Sequence, residues 1–235
     1  MKQEIVTSFT ELHTVLRSKY RGNFQWLFRG QANSKWHLLP KAGRQQFANS
    51  SELDIDLDMF EGWCRRAVAF IDLPSNKWNR LAIAQHYGLA TRLLDWTVNP
   101  LVAAYFAVSG ISEHDSCIYC LNIYKTRQID PDKDVIGKVE KISRFKPSAY
   151  VGRIIGQWSM FTYHPKPQEI FDDSMAEIKL KKIIVPAENR EEILFDLNFY
   201  GFNETALFPD AEGLSRHLNW WSSNENWKKD IFFSS

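Results

Sequence analysis

Gln85-His86-Tyr87-Gly88-Leu89-Ala90-Thr91-Arg92-Leu93-Leu94-Asp95-Trp96-Thr97-Val98-Asn99-Pro100 decides how this chain is read. The run sets a His, two Gln/Arg-type donors, an Asp and two Thr between two apolar segments. Burying such groups is costly unless each finds a partner, so a dense polar cluster beside a core marks a site. The stretch also dictates local structure. A helix over 79–87 is predicted, stopped by Gly88. Leu93-Leu94-Asp95-Trp96 reads as a short extended piece. Asn99-Pro100 then starts a second helix, with Asn as cap and Pro at its first position. That helix, 101–109, is apolar all round and ends at Gly110, which places it deep in a core.

Working outward, Ser8-Phe9-Thr10-Glu11 opens a helix, with Ser8 as cap and Glu11 completing a capping box. Phe24, Trp26 and Phe28 alternate with Gln25, Leu27 and Arg29, the period of a half-buried strand, which Gly30 is expected to end. Residues 49–73 place Leu53, Leu57, Phe60, Cys64, Ala67 and Ile71 at helical spacing. Residues 117–124, 154–163 and 177–185 read as strands and 188–200 as a helix. Residues 125–150 read as irregular and basic, with Lys138, Lys141, Arg144 and Lys146. The pattern predicts one α+β domain over 1–235, a central mixed or antiparallel sheet with packed helices. Its core spans about 24–218, with an aromatic tail over 219–235.

Composition narrows the classes. The chain has 235 residues, 44% hydrophobic and 24% charged, with 16 Phe, 9 Trp and 8 Tyr, and its formal net charge is +1. That balance gives no global electrostatic case for nucleic-acid binding. No apolar run approaches the roughly 20 residues that span a bilayer, and no signal-type block follows Met1-Lys2-Gln3-Glu4, so a cytoplasmic protein without membrane contact is expected. Cys117 and Cys120 have a Cys-x-x-Cys spacing, but residues three apart on a strand point to opposite faces, and Cys64 stands alone. Buried reduced thiols follow, not a metal or redox site. No metal-ligand spacing, dinucleotide-type Gly-x-Gly-x-x-Gly or phosphate-binding Gly-Lys-Ser/Thr loop occurs. His114 and His164 have no obvious partners in sequence.

Candidate ligand groups sort by chemistry. Arg29 offers a planar donor fork suited to phosphate or carboxylate, beside a glycine that lets a ligand approach the backbone. The alternative is a structural pair with a core carboxylate such as Asp95. Asp95 and Thr97 share a side if extended, with Trp96 opposite, and an acid plus a hydroxyl can orient a ribose. The alternative pairs Asp95 with Arg92 while Thr97 caps the next helix. Gln31, Gln85, His86, Tyr87, Arg153 and Gln157 are further candidates for ligand contact. Six of these residues, Arg29, Gln31, Gln85, Arg92, Asp95 and Thr97, are expected to line one cleft.

Phe28-Arg29-Gly30-Gln31 resembles the signature of the FRG domain family, named for Phe-Arg-Gly. Leu39-Pro40 with Arg44 is similar to its next block. Gln85 through Thr97, then Asn99-Pro100-Leu101 and Tyr105-Phe106-Ala107, is similar to the central block, with Ala90 where the family usually has proline. Arg153, Gln157 and Phe161 resemble a third block, and Lys182–Pro186 and Leu207–Leu214 the last. A fainter resemblance is to ADP-ribosyltransferases of the Arg–Ser–Glu class. Arg29 resembles their first-strand Arg, and Asp95-Trp96-Thr97 with Ala103-Ala104-Tyr105-Phe106-Ala107 their second element. That resemblance implies an ADP-ribosyltransferase-like fold, NAD as cofactor without a metal, and a protein or nucleic-acid acceptor, in a toxin or anti-phage effector. It implies catalytic roles for Arg29, Asp95, Thr97 and Glu204, and cofactor contacts from Gln31, Gln85, His86, Tyr87, Arg92, Trp96, Arg153 and Gln157. Lys182 stands near the position where the class has Glu; Glu204, Glu177 or Asp95 would then substitute. Alternatives are a nucleic-acid-binding or -processing protein, from the basic segment 138–153 and the aromatic tail, and a non-catalytic interaction module docking through Trp220, Trp221, Trp227, Phe232 and Phe233.

Overall fold

In the computed structural model, the described residues are 2–22, 25–47, 54–110, 112–148, 159–173 and 178–223. The central stretch forms the expected helix, strand and helix, with the helix bounds shifted by one or two residues. Helix α3 (Lys77–His86) opens at Asn76, whose side chain accepts from the Trp78 and Asn79 amides. Strand β3 (Leu93–Thr97) follows, then helix α4 (Pro100–Val108), capped by Asn99 with Pro in the first turn. Around them lie β1 (Lys2–Ile5), α1 (Phe9–Tyr20), β2 (Trp26–Gln31), α2 (Ile55–Ala67), β4 (Ser116–Asn122), β5 (Arg127–Gln128), β6 (Ser143–Phe145), β7 (Ser159–Tyr163), β8 (Lys179–Val185), α5 (Arg190–Phe199), α6 (Glu204–Leu207) and α7 (Ala211–Ser223).

The eight strands form one mixed sheet in the order β1-β8-β4-β2-β3-β7-β6-β5. Among the described residues, the β1–β8 and β5–β6 pairs are parallel and the others antiparallel. The sheet is nearly split at its middle. Strand β2 is paired to β4 along its whole length, and β3 is paired to β7 along its own. Yet β2 and β3 meet through a single register pair, Phe28 with Thr97. Beyond that pair the Arg29–Gln31 and Leu93–Trp96 segments part, so two half-sheets open a wedge between them.

Each half-sheet has its own helical cover on one face. Helices α1, α4 and α5 bury Leu16, Ala104 and Ile193 with Phe28, Ile118 and Ile183 from the β2 half. Helices α2 and α3 bury Phe60, Trp78 and Leu81 with Leu93, Phe161 and Tyr163 from the β3 half. The opposite face carries a continuous third core of Leu27, Leu94, Trp96, Tyr119 and Leu180, closed by loop residues Leu38 and Phe171. Apolar burial at about 25 cal/mol per Å² is the main force holding these layers, and aromatic bulk supplies much of the area.

Gly30 explains why α4 can lie so close. A side chain there would meet the Ala103 carbonyl at 2.0 Å and the Ala107 amide at 2.4 Å. The glycine therefore does not end the strand, as its type suggested; β2 runs on to Gln31, and the missing side chain admits the helix backbone. The far end of α4 is closed by Arg190, whose guanidinium donates to the Ser112 carbonyl at 2.8 Å and also to carbonyls of Ala107, Val108 and Gly110. A cation on the last carbonyls of a helix is favourable.

The structure adjusts several expectations. Strand β2 is buried on both faces, not half-buried, because helices cover one side and the third core the other. Glu11 does accept at the start of α1, but from the Thr7 amide and hydroxyl, while Ser8 takes the Glu11 amide. The helix expected over 49–73 is confined to α2, and residues 48–53 lie outside the described residues. The segment 125–150 contains β5 and β6, too short to show a period. Strand β1 went unread for the same reason. Helix α7 takes in Trp220 and Trp221; Trp220 packs on the α1/α4 core, while Trp227, Phe232 and Phe233 lie outside the described residues. Cys117 and Cys120 are buried free thiols on opposite faces of β4, one in each core. No helix among the described residues is long and apolar enough to cross a membrane.

Candidate functional site

The wedge between β2 and β3 leads into a cavity of about 500 Å³, bounded by Arg29, Gly30 and Gln31 of β2, Asp95 and Thr97 of β3, Ala82, Gln85 and His86 of α3, and Ala103 and Phe106 of α4. That volume lies within the usual range for small-molecule sites. Trp36 and Arg44, from the loop after β2, and Phe208 also border it, as do Ser159 and Phe161 of β7. The position follows from the split: α3 covers one half-sheet and α4 the other, and no described residue fills the seam between them.

The polar groups in the seam form a partly completed network. Arg29 Nη1 donates to the Asp95 carbonyl at 2.8 Å and lies 3.5 Å from the Asp95 carboxylate. Gln85 Nε2 donates to Asp95 Oδ1 at 2.7 Å, and Thr91 holds the Gln85 carbonyl in turn. Thr97 Oγ1 accepts the Asn99 amide at 3.1 Å, which fixes the strand-to-helix turn. Two atoms are left over. Arg29 Nε and Gln31 Oε1 are buried and have no hydrogen-bond partner among the described residues. A buried unsatisfied donor or acceptor costs roughly 1–3 kcal/mol, so a pair of them beside an open cavity calls for an explanation, and a ligand provides one. Burial pulls the Arg29 guanidinium below its ordinary value, against the opposing effect of Asp95, and the nearby Arg44 charge pulls it down further.

Five of the six residues expected to share a cleft, Arg29, Gln31, Gln85, Asp95 and Thr97, do so, and His86 joins them. Arg92 does not. It turns to the other side of the α2 junction, where Nε donates to Asp56 Oδ2 at 2.6 Å, Nη2 to Asp56 Oδ1 at 2.7 Å, and Nη1 to the Pro165 carbonyl at 3.0 Å, with Asp54 also on Nη2. Both Arg92 and Asp56 are buried, so this is a fork-to-fork structural pair. It also answers the alternative that Arg92 pairs with Asp95: Asp95 faces Arg29 and Gln85 instead.

Other expected contacts fall elsewhere. Tyr87 is exposed and borders a separate apolar groove with Met59 and Phe70, not the cavity. Trp96 touches the cavity border, but its indole is buried in the third core, donating to Thr162 Oγ1 at 2.9 Å. Glu204 lies outside the cavity, where Tyr105 Oη and Arg216 Nε donate to it. Lys182 is buried on β8, over the Tyr119 ring at 4.9 Å and donating to the Ser34 carbonyl. Arg153, Gln157 and Glu177 lie outside the described residues. In the basic segment, Arg144 Nη1 donates to the Ile123 carbonyl at 3.4 Å, and Lys138, Lys141 and Lys146 do not border the cavity.

His164, without evident partner in sequence, sits beneath the site in a relay. Trp96 can only donate, so Thr162 Oγ1 accepts from it and passes its own proton to His164 Nε2, 2.9 Å away. The ring is thereby a neutral acceptor at Nε2. Burial, with a smaller contribution from the Arg29 charge, drives its pKa down to about 3. Trp36 and Arg44 were missed as site residues. Arg44 belongs to a stretch noted only for its resemblance, and no spacing ties either residue to the β2–β3 seam.

The fold is α+β, with a split mixed sheet and a polar seam between two helices. Residues 24–116 match the sequence model of the FRG domain. The match includes Phe28-Arg29-Gly30-Gln31 and the α3–β3–α4 block, and so contains most of the cavity border. No curated protein and no solved structure matches the chain.

Proposed function

We propose that the seam is a nucleotide site of ADP-ribosyltransferase-like design, with NAD as its ligand. The observation that carries this reading is the pair of buried, unpartnered polar atoms, Arg29 Nε and Gln31 Oε1, on a cavity of about 500 Å³. Arg29 supplies a donor fork to the dinucleotide's phosphate or ribose oxygens. Asp95 and Thr97 share one face of β3, where an acid and a hydroxyl can orient a ribose; Gln85 and His86 border it from α3. Tyr87 and Trp96, expected as cofactor contacts, face elsewhere, and the exposed indole of Trp36 takes the role of stacking on a ring of the ligand.

Asp95 is the carboxylate on the described border of the cavity, and it is solvent-accessible. It takes the role the class gives to Glu, stabilising an oxocarbenium-like ribosyl cation as the nicotinamide bond breaks. Glu204 is committed to Tyr105 and Arg216 and is not assigned that role. The acceptor is a protein or a nucleic acid, and such a transfer activity would suit a toxin or an anti-phage effector.

The test is direct. The purified protein is incubated with labelled NAD, cell lysate and nucleic acid, and NAD binding, NAD loss and transferred label are measured. Binding lost in Arg29→Ala and turnover lost in Asp95→Asn with binding retained are expected. Absence of NAD binding, NAD loss and label transfer together would refute the reading.

A further inference from the structure

We infer that the cavity clamps a phosphate group between two arginines, Arg29 from the sheet and Arg44 from the loop above it, so that Arg44 sets the selection for phosphate-bearing ligands. The inference rests on reading this cavity as a nucleotide site.

Four observations support it. First, Arg44 borders the same cavity as Arg29, although it comes from a different segment. Second, its guanidinium takes part in no ion pair or side-chain hydrogen bond among the described residues. Third, its placement is built. Its loop is a 3-10 turn, Lys41–Gly43, and the Ala42 amide donates to the Thr91 carbonyl at 3.1 Å. Gly43 lies so close to the Pro167 backbone that a side chain would meet its carbonyl at 1.7 Å, and Lys41 Nζ donates to the Gly88 carbonyl at 2.7 Å. The loop is thus fastened at three successive residues, and Arg44 is the next one. Fourth, the charges do not balance. Asp95 offsets one guanidinium, while the second leaves the cavity border cationic with the Arg29 Nε–H unsatisfied.

Two guanidiniums on one cavity repel unless an anion lies between them. Planar donor forks suit a tetrahedral phosphate, and two of them can divide its oxygens. The indole of Trp36 is exposed at the border, the residue's backbone carbonyl accepts a hydrogen bond from Tyr119 Oη at 3.2 Å, and the ring can stack on a base attached to that phosphate. A nucleoside phosphate or diphosphate is the ligand class this combination fits.

The experiment is isothermal titration of the full chain with NAD, ADP-ribose, pyrophosphate, adenosine and nicotinamide riboside, at two salt concentrations, for wild type, Arg44→Ala and Arg44→Lys. Melting curves confirm that the variants fold. Arg44→Ala should weaken ADP-ribose binding at least tenfold and flatten its salt dependence, while Arg44→Lys recovers part of the affinity. Adenosine and nicotinamide riboside, which lack phosphate, should bind weakly and equally to all three. If ADP-ribose and NAD bind Arg44→Ala within twofold of wild type, the clamp is wrong while the NAD reading stands. If pyrophosphate and ADP-ribose bind in an Arg44-dependent way but NAD does not, the clamp stands and NAD is the wrong ligand. If no phosphate compound binds, both are overturned.

Discussion

Two arginines, Arg29 and Arg92, enter the sequence in similar settings, each a cation beside strongly apolar residues at the edge of a strand. The fold treats them oppositely. Arg92 is enclosed and answered by Asp56 in a two-bond fork, with Asp54 and a carbonyl taking its other donors. Arg29 is also largely buried, yet one donor is unused, its contact to the Asp95 carboxylate is 3.5 Å, and it opens on a cavity. A completed network stabilises a structure; an incomplete one beside a void is prepared for something else to complete it. The difference gives a physical criterion for separating an arginine that the fold satisfies from one that it leaves open.

The largest effect should come from breaking the completed side. Arg92→Ala strands the Asp56 carboxylate in the core and should cost about 3–5 kcal/mol, measured by urea denaturation. A loss below about 1 kcal/mol would show that the Arg92 pair is not the structural member of the comparison. Gly30→Ala tests the close approach of α4 to the seam. The added carbon would sit 2.0 Å from the Ala103 carbonyl, so α4 must shift, at about 3 kcal/mol or more. A neutral Gly30→Ala would mean the helix can move freely and that the seam is not rigid.

An intermediate effect is expected from pH, through His164, which lies under Arg29. Its folded pKa of about 3 is below the unfolded value near 6.5, so the unfolded chain takes up the proton first. The stabilisation is therefore full above about pH 6.5 and is lost as pH falls towards 3. Between pH 7 and pH 5 this one group should remove about 2 kcal/mol. Replacing it, as in His164→Gln, should flatten that part of the stability profile; an unchanged profile would place the titration elsewhere. The smallest stability effect belongs to Arg29→Ala, within about 1 kcal/mol of wild type because the residue's own network is unfinished. Ligand binding should nevertheless be abolished. A strongly destabilised Arg29→Ala that still binds NAD would make Arg29 a second structural arginine and erase the contrast.

Much of the local architecture was legible from residue types. Ser8 and Asn99 are caps because their side-chain oxygens reach the first free amides of a helix, which depends only on nearby sequence; Asn76, which caps α3, was read only as part of a break. The apolar run after Pro100 had to be buried, and the alternation of Asp95 and Thr97 against Trp96 placed them on one face of a strand. Short strands such as β1, β5 and β6 have too few residues to carry a period, and their pairing comes from distant partners.

Thus the sequence by itself determined the capped helices, the buried thiols and the five polar residues that meet at the seam. Tertiary structure alone decided that β2 and β3 join at one pair and then part, because register is set by which strands and helices each half can bury against. It also decided which arginine is satisfied. Asp54 and Asp56 lie 36 or more positions from Arg92, and Trp36 and Arg44 reach the cavity through a loop fastened to Thr91, Gly88 and Pro167. Neither arrangement has a period or a spacing that a linear pattern can carry, since both are fixed by contacts between segments far apart in the chain.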